Sequence, residues 1–362
     1  MNISNKTIVV AMSGGIDSTT VAAILKEQKY KVVGITLQLY NNSHIENKKT
    51  CCASNDIYDA RISAKKIGIP HYVLNYENIF KNKVINNFIN QYINGETPIP
   101  CIQCNQKIKF NDLINMAKNI GAYRLATGHY IQKIEYNKHL TLFRAKDKKK
   151  DQSYFLFNTT INQLKFLIFP LGSYTKNKIK SLAKKYKLQN YNKNDSQDIC
   201  FIQNKDYVNF IKKHKNKSYK KGHIINKFNK VLNQHNGLIH FTIGQRKRIE
   251  FYSRKPLYVT HINPHNNSVT VDYQEGLYHN LFYIKNINWL EKNNENIKFW
   301  FSCQVKLRSS HNIIFAKIKK IENDIYKIYL QIPYNSITPG QACVIYLQER
   351  IIGGGWIINK KD

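Results

Sequence analysis

A serine- and glycine-rich turn near the amino terminus has the composition of a phosphate-binding loop. Within 7–18, a β-branched apolar run leads into Ser13, Gly14 and Gly15 and then into a segment with helical apolar spacing. A strand–turn–helix arrangement directs backbone N–H groups and the positive end of a helix dipole at an anion. The glycines let the backbone approach a phosphate and adopt a positive φ, while Asp17 can hold Mg²⁺ or fix the turn. The loop is neither a Walker A loop, which needs Gly-Lys-Ser/Thr, nor a G-x-G-x-x-G loop.

Cysteines are the second set of residues that could do chemistry. The chain has seven of them, at positions 51, 52, 101, 104, 200, 303 and 343. Seven cysteines in a chain of 362 residues with the character of a cytosolic protein favour thiol chemistry or metal binding over a disulfide scaffold. Those at 51, 52, 101 and 104 could ligate zinc or an iron–sulfur cluster, although an adjacent pair suits tetrahedral chelation poorly. Cys200 is either a core residue or a reactive thiol, and Cys303 and Cys343 are predicted to be core residues.

The net charge of the chain favours a polyanionic partner. The chain has 362 residues and a formal charge of +33, and 23 of its residues are acidic. Hydrophobic residues make up 42% of the chain. This length and composition predict a globular protein of two or three domains, and the basic excess favours RNA or DNA as a partner. No apolar run approaches the ~18 residues that span a bilayer, and no secretory segment is recognisable. We therefore expect a cytoplasmic protein with no membrane attachment.

Strands and helices are predicted to alternate over the first half of the chain. The predicted strands are 31–37, 71–74 and 124–127, and the predicted helices are 54–67, 78–93, 107–119 and 175–187. Between them, 97–105 is predicted to be a proline-fixed loop that carries two cysteines. This order predicts a parallel sheet with helices on both faces. Because ligands bind at the carboxyl ends of such strands, Gly128 and His129 should lie near the glycine turn.

The second half of the chain has a different character. From about residue 205 a basic helix and loops lead to a hairpin-like segment at 257–271. Beyond about residue 280 apolar and polar residues alternate, which predicts strands at 299–307, 312–321, 325–332 and 342–348. Short alternating strands favour a small antiparallel barrel or sandwich. We predict three domains, at 1–204, 205–276 and 277–362.

A series of motifs, in one order along the chain, resembles a single enzyme family. The run 13–18 resembles the PP-loop of the ATP-pyrophosphatase superfamily, and the whole series resembles the tRNA-specific 2-thiouridylases. The matching segments are 11–18, 97–100 with 104–105, 126–130, 150–156, 169–172, 195–196 with 199–202, 242–247 and 338–341. The resemblance implies an α/β fold with a parallel-sheet PP-loop catalytic domain, a small central domain and a C-terminal antiparallel β-barrel.

The resemblance implies ATP-dependent 2-thiolation of the wobble uridine (position 34) of tRNA. ATP, with Mg²⁺, adenylates the C2 oxygen and releases pyrophosphate. A persulfide on Cys200 carries the sulfur, and Cys104 attacks it or assists release of sulfide, which leaves a Cys104–Cys200 disulfide. Both thiols must react as thiolates, which a positive environment favours. The implied partners are tRNAs for Lys, Glu and Gln, and a sulfur donor that is either a relay protein or a cysteine desulfurase.

The resemblance also implies which residues bind the two substrates. The expected nucleotide-binding residues are Ala11, Met12, Ser13, Gly14, Gly15, Ile16, Asp17, Ser18, Leu37 and Gly128. The expected tRNA-binding residues are Ile99, Pro100, Cys101, His129, Lys150, Asp151, Gln152, Arg308, Ser309 and Gln341.

Some positions depart from the family pattern. Cys101 stands where much of the family has an aspartate for acid–base work on the uracil, and Ile99-Pro100 replaces Asn-Pro. Arg308-Ser309 stands where an Arg-Tyr pair is usual. The Cys-x-x-Cys sequence leaves open which group handles protons, and it creates a local Cys101–Cys104 disulfide as an off state.

Two rival hypotheses use the same motifs differently. Another PP-loop ligase, such as a tRNA-lysidine synthetase or a small-molecule amidoligase, needs no pair of distant reactive cysteines. A non-catalytic RNA-binding protein with a relic PP-loop would bind tRNA without consuming ATP. Substitution of Cys104 or Cys200 tests the first alternative, and ATP consumption tests the second.

Overall fold

The computed structural model describes most of the chain. The described residues are 6–40, 52–188 (the side chains of 52–54 excepted), 198–202, 204–215, 219–291, 299–322, 324–335 and 337–359. The chain divides into two compact units. The first contains Met1–Val84, Cys101–Gln203 and Glu349–Ile351, and the second contains Ile85–Pro100, Asn204–Gln348 and Ile352–Asp362. Within the described ranges, no helix is both long and apolar enough to cross a membrane.

The first unit is built on a five-stranded parallel sheet. Its strands are β1 (Thr7–Ala11), β2 (Lys31–Gln38), β3 (His71–Asn75), β4 (Arg124–Thr127) and β7 (Leu167–Ile168). They lie in the order β3-β2-β1-β4-β7, and all neighbours are parallel. The strand order reverses between β1 and β4. The loops after these two strands therefore meet at the switch point, where open α/β sheets bind ligands.

Helices pack on this sheet through the apolar faces that their sequences predict. The helices of the first unit are α1 (Ile16–Glu27), α2 (Cys52–Ile67), α3 (Glu77–Phe80), α5 (Pro100–Cys104), α6 (Leu113–Asn119), α7 (Ser153–Leu156), α8 (Ile161–Phe166) and α9 (Lys176–Lys185). Val21 of α1, Ala60 of α2 and Ile179 of α9 lie in one core cluster with the strand residues Ile8 and Val10. The burial of these residues fixes the position of α1, and with it the loop that precedes α1.

The segment that carries Cys101 and Cys104 is helical, so the prediction of a loop there was wrong. Pro100 begins α5, and a π-helical segment, Asn105–Asp112, follows it and leads into α6. Proline is well tolerated in the first turn of a helix because its missing N–H has no intrahelical partner there. The two cysteines are thus three residues apart on one helix. The predicted helix 78–93 is likewise interrupted by a π-helical turn at 81–85.

A β-hairpin that the sequence analysis did not predict follows β4. Its strands are β5 (Ile131–Tyr136) and β6 (His139–Arg144). The two turn residues, Asn137 and Lys138, both have positive φ, at 48° and 63°, as a type I′ turn requires. β6 also pairs with Arg350 and Ile351.

The second unit begins with two helices and a small sheet. The helices are α4 (Asn86–Ile93) and α10 (Tyr207–His214), and the strands are β8 (Gly222–Asn226), β9 (Val231–His235), β10 (Tyr258–Asn263) and β11 (Ser268–Asp272). The strand order is β10-β11-β8-β9. β10 and β11 form the antiparallel hairpin predicted at 257–271, whereas β11 pairs with β8 in parallel.

A closed antiparallel barrel completes the second unit. Its strands are β12 (Tyr278–Trp289), β13 (Phe301–Lys306), β14 (Ile314–Glu322), β15 (Ile325–Asn335), β16 (Ala342–Leu347) and β17 (Arg350–Ile358). They follow the order β12-β15-β14-β13-β16-β17, and pairing of β12 with β17 closes the barrel. Alternate residues such as Cys303, Val305 and Ile318 fill its interior. The predicted fold class is confirmed, with a barrel and not a sandwich at the carboxyl end.

Candidate active site

The predicted phosphate-binding loop connects β1 to α1. Gly14 has a φ of +71°, and a Cβ atom there would lie 2.2 Å from the backbone oxygen of Asp56. Only glycine fits this position. The Ser18 hydroxyl closes the loop, because its Oγ accepts a hydrogen bond from the Ser13 N–H at 3.1 Å and donates to the Gly15 carbonyl at 3.3 Å. The loop therefore has a defined shape before any ligand binds.

The loop is open on the side of Gly15. This residue has a φ of −85°, and among the described residues a Cβ atom added to it would meet a single neighbour, the Ser13 hydroxyl, at 3.6 Å. The space lies at the start of α1, where backbone N–H groups lack intrahelical partners and the helix dipole favours an anion. Ala11, Met12 and Ile16 flank it in sequence. The opening therefore has the properties of an anion-binding site.

The two neighbouring strands of β1 both contact the loop region. Gly128 follows β4, and a Cβ atom on it would lie 2.8 Å from the backbone nitrogen of Ser18, so its backbone touches the first turn of α1. On the other side, the Thr36 hydroxyl of β2 donates to the Met12 carbonyl at 2.9 Å. Leu37 is the next residue along β2 and is half-buried.

Asp17, in the first turn of α1, is engaged by two side chains that the sequence analysis did not select. The Lys176 ammonium contacts both carboxylate oxygens, at 2.8 and 2.7 Å. The Tyr130 hydroxyl donates to Oδ1 at 2.7 Å. A signal for Lys176 does exist in the sequence, because it shares a helix face with Ile179 and Ala183 at spacings of three and seven residues.

Three cysteines come together in the first unit. Cys101 is exposed and Cys104 is buried, both on α5, and Cys200 is exposed in a turn. The turn is anchored by Phe201, whose ring packs edge-on against Phe80 with centroids 5.5 Å apart. Cys104 and Cys101 both raise the pKa of Cys200 electrostatically, so the predicted pair of catalytic thiols and a third thiol share one electrostatic neighbourhood, which we call the cluster.

Desolvation by the surrounding protein is the main influence on the acidity of this cluster, and it acts on Cys101 and Cys200 although their side chains keep contact with solvent. It raises the pKa of Cys101 and of Cys104. Burial, with repulsion from the other two thiols, raises the pKa of Cys200 to about 12. Lys109, on the π-helical segment after α5, opposes the effect by lowering the pKa of each of the three. This lysine is the positive charge that thiolate chemistry needs, and the sequence analysis did not single it out.

His129 lies after Gly128 and is held from two sides. Its Nδ1 is 2.9 Å from the Thr127 hydroxyl, and its ring packs edge-on against Phe110 at 5.9 Å. Burial and the Lys109 charge lower the pKa of His129 to about 3. The imidazole is therefore neutral at physiological pH and can act there as a hydrogen-bonding group but not as a cation.

The Lys150-Asp151-Gln152 segment is held by hydrogen bonds to the Asp151 carboxylate. The Asp151 carboxylate is fully enclosed and accepts hydrogen bonds from Arg144 Nε at 3.2 Å and from the Ala145 N–H at 3.0 Å. It also accepts the hydroxyl of Ser153 at 2.7 Å. Asp151 thus shapes the loop from within, while Lys150 beside it is half-buried.

The remaining predicted tRNA contacts belong to the second unit. Ile99 and Pro100 are buried. Gln341 donates to the carbonyl of Thr97 at 2.9 Å, so it fixes the segment that precedes α5. In the barrel, Arg308 donates to the Thr338 hydroxyl at 3.1 Å and Ser309 is exposed.

A cysteine-ligated metal centre gains no support from the described residues. None of their His, Cys, Asp and Glu side chains form a group of three or more that could hold a metal ion. Cys51 and the side chain of Cys52, which the sequence analysis considered as zinc or iron–sulfur ligands, lie outside the described part of the chain.

Family models match the chain in three consecutive segments. Residues 6–204 match a domain described as the tRNA methyl transferase HUP domain. Residues 208–272 match the tRNA methyl transferase PRC-barrel domain, and residues 279–357 match the aminomethyltransferase beta-barrel domain.

Full-length relatives are close in sequence. The tRNA-specific 2-thiouridylase MnmA of Ehrlichia canis is 50% identical over 355 residues, which cover 98% of this chain and 95% of the relative. That of Rickettsia typhi is 49% identical, with 97% and 98% covered. A solved 4-thiouridine synthetase–RNA complex with bound ATP is 15% identical, with 57% of this chain and 50% of that chain covered, and its TM-score of 0.36 is too low to add to these matches. On the full-length similarity, the chain belongs to the family of tRNA-specific 2-thiouridylases.

Proposed function

We propose that this chain catalyses the ATP-dependent 2-thiolation of the wobble uridine (position 34) of tRNA in the cytoplasm. Family membership supports the general activity, a sulfurtransferase that thiolates tRNA uridine. The observation that carries the finer proposal is the cluster of Cys104 and Cys200. These thiols are distant in sequence, yet they interact within the unit that contains the PP-loop.

The proposed reaction has two stages. ATP is attacked by the uracil C2 oxygen, so that pyrophosphate leaves and the oxygen becomes part of a good leaving group, AMP. The terminal sulfur of a persulfide on Cys200 then attacks C2, the C2–O bond breaks and AMP leaves, so that C2 is joined to Cys200 through two sulfur atoms. Attack by the Cys104 thiolate on the inner sulfur of Cys200 breaks the S–S bond, leaves the terminal sulfur on C2 and forms a Cys104–Cys200 disulfide. An external reductant must restore both thiols before the next turnover.

The residues proposed for ATP are 11–18, Leu37 and Gly128. The open side of Gly15 at the helix terminus fits the phosphates. Bound Mg²⁺ would neutralise phosphate charge. Because Lys176 contacts both oxygens of Asp17, we expect the phosphates and not this carboxylate to hold the ion.

The proposed tRNA contacts combine both units. The candidates are Ile99, Pro100, Cys101, His129, Lys150, Asp151, Gln152, Arg308, Ser309 and Gln341. Because Ile99, Pro100 and the Asp151 carboxylate are buried, their proposed part is to shape the segments that carry the other contacts. The excess of basic residues in the chain supports contacts with the tRNA phosphates. The affinity of the protein for tRNA should therefore fall as the salt concentration rises. The proposed substrates are tRNAs for Lys, Glu and Gln, and the sulfur donor is a relay protein or a cysteine desulfurase.

The test is nucleoside mass analysis of tRNA incubated with the protein, Mg-ATP and a persulfide source. Cys200→Ser and Cys101→Ser form a matched pair, since both remove an exposed thiol from the same cluster. We expect 2-thiouridine at the wobble position with the wild type and with Cys101→Ser. With Cys200→Ser we expect none, although ATP-dependent adenylation of the tRNA should persist.

Two results would contradict the proposal. Thiouridine made by Cys200→Ser would keep the enzyme class but move the persulfide to another thiol. Pyrophosphate release without thiouridine from the wild type would favour a lysidine-type ligase.

A further inference from the structure

Asp17 is connected to the loop 147–152 through Lys176. The Lys176 ammonium contacts both oxygens of Asp17, as described above, and its backbone N–H donates to Asp147 Oδ2 at 2.9 Å. Asp147 in turn accepts the N–H of Lys149 at its Oδ1 and the N–H of Lys150 at its carbonyl, both at 3.1 Å. One lysine therefore connects the start of the loop to the nucleotide-binding turn.

A second connection runs through Tyr130. Its hydroxyl donates to Asp17 at 2.7 Å. Its backbone N–H donates to Gln152 Oε1 at 2.8 Å, and its carbonyl accepts the Gln152 N–H at 3.0 Å. Both ends of the loop 147–152 thus reach the same carboxylate, by separate routes.

Both connecting side chains are held firmly. Lys176 is 8% exposed and Tyr130 is 2% exposed, and the ammonium lies 5.8 Å from the centre of the tyrosine ring. A buried lysine that is ion-paired with a carboxylate cannot leave that carboxylate without a large cost. The position of Asp17 and the position of the loop are therefore not independent.

We propose that Lys176 and Tyr130 are positioning residues that couple tRNA binding at the loop 147–152 to nucleotide binding at the PP-loop. The inference rests on the proposed function, in which this loop contacts tRNA and 11–18 bind ATP. A displacement of the loop on tRNA binding would be transmitted through these two side chains to Asp17 and the first turn of α1, which binds the nucleotide. Linkage makes the effect reciprocal, so bound nucleotide should tighten tRNA binding by the same factor.

The test measures affinity and not turnover. The dissociation constant of α,β-methylene-ATP, whose bridge resists cleavage, is determined by calorimetry with and without unmodified tRNA. For the wild type we expect tRNA to tighten binding by about fivefold or more, the lower end of usual coupling factors. Lys176→Met should bring this factor close to one. Lys180→Met, which removes an exposed charge from the same helix, should keep the wild-type factor.

Tyr130→Phe is the second variant and keeps the buried ring while it removes the hydroxyl. It should lower the coupling factor without loss of thermal stability, and it decides the matter if Lys176→Met does not fold. The proposal would be overturned if both variants kept the coupling factor of the wild type. It would also be overturned if tRNA did not change the nucleotide affinity of the wild type. Failure of the proposed function is a different result, namely absence of thiouridine from a wild type that still shows the coupling.

Discussion

Two adjacent glycines of the PP-loop should respond in opposite ways to substitution by alanine. At Gly14, φ is +71° and the added Cβ would lie 2.2 Å from the carbonyl oxygen of Asp56. At Gly15, φ is −85° and the Cβ would have a single neighbour, the hydroxyl of Ser13, at 3.6 Å. Gly14→Ala should therefore destabilise the fold, whereas Gly15→Ala should leave it intact and occupy space meant for a phosphate.

The magnitude follows from two costs at Gly14. A left-handed backbone costs an L-residue about 1–2 kcal/mol, and forcing a methyl group against packed backbone costs about 1–3 kcal/mol. The sum is at least about 2 kcal/mol, which corresponds to a fall of at least about 4 °C in the melting temperature of a unit of this size. Gly15→Ala should change stability by no more than about 1 kcal/mol, since the backbone there suits alanine.

Calorimetry of thermal unfolding measures the stability of the wild type, Gly14→Ala and Gly15→Ala. Titration with α,β-methylene-ATP measures their affinity for the nucleotide. We expect Gly14→Ala to melt early and Gly15→Ala to melt with the wild type but bind nucleotide at least about tenfold more weakly, because a methyl group displaces the phosphate from the helix terminus. Equal melting of Gly14→Ala and the wild type would refute the steric argument. Unchanged nucleotide affinity of Gly15→Ala would refute the assignment of the open side to a phosphate.

Two further predictions concern charge. Lys109→Met should slow alkylation of Cys200 by iodoacetamide at pH 8, because the lysine lowers the pKa of that thiol. The alkylation rate is measured by peptide mass mapping, with Lys107→Met as the control. Equal rates in Lys109→Met and the wild type would contradict the role of Lys109. His129 has a pKa lowered to about 3 in the fold, against about 6.5 in an unfolded chain. The unfolded state thus takes up the proton first, and stability present above pH 6.5 is lost as the pH falls towards 3. His129→Gln should lose less stability than the wild type between pH 6.5 and 4 in urea titrations, and parallel curves would contradict this.

Elements with a strong local pattern could be predicted from the sequence, and those with a weak one could not. Strands β1 and β2 are rich in β-branched residues and have clear boundaries, whereas the two-residue strand β7 was not predicted. The β5–β6 hairpin turns through Asn137-Lys138 without the usual glycine. β17 contains three consecutive glycines, which weaken a strand signal. The structure explains them by close strand approach, since a Cβ on Gly353 would lie 2.7 Å from the Asn288 carbonyl and one on Gly355 would lie 2.8 Å from the Lys285 carbonyl.

The same division applies to the candidate site. The PP-loop is local, so its residue types and order were enough to predict it. The partners of Asp17 are 113 and 159 residues away in sequence, and no local pattern connects them. Lys176 is one of several lysines on α9, and its burial is decided by what the helix packs against. Long-range pairs of this kind become visible only once the sheet order brings β4 and the start of α9 to the nucleotide-binding turn.

The three clustered thiols differ in their exposure to solvent, and this difference gives the proposed sulfur transfer a direction. A donor outside the protein can reach an exposed thiol, and in the cluster Cys200 and Cys101 are exposed while Cys104 is enclosed. Buried Cys104 is therefore better suited to attack a persulfide that has formed on Cys200 than to receive sulfur from a donor itself. This asymmetry suits Cys200 as the acceptor and Cys104 as the internal nucleophile, and it leaves Cys101 as the one competing acceptor of the three. Because Cys101 is also a proposed tRNA contact, the informative result is loss of thiouridine in Cys200→Ser alone, with wild-type thiolation in Cys101→Ser, which identifies Cys200 as the thiol that carries the sulfur.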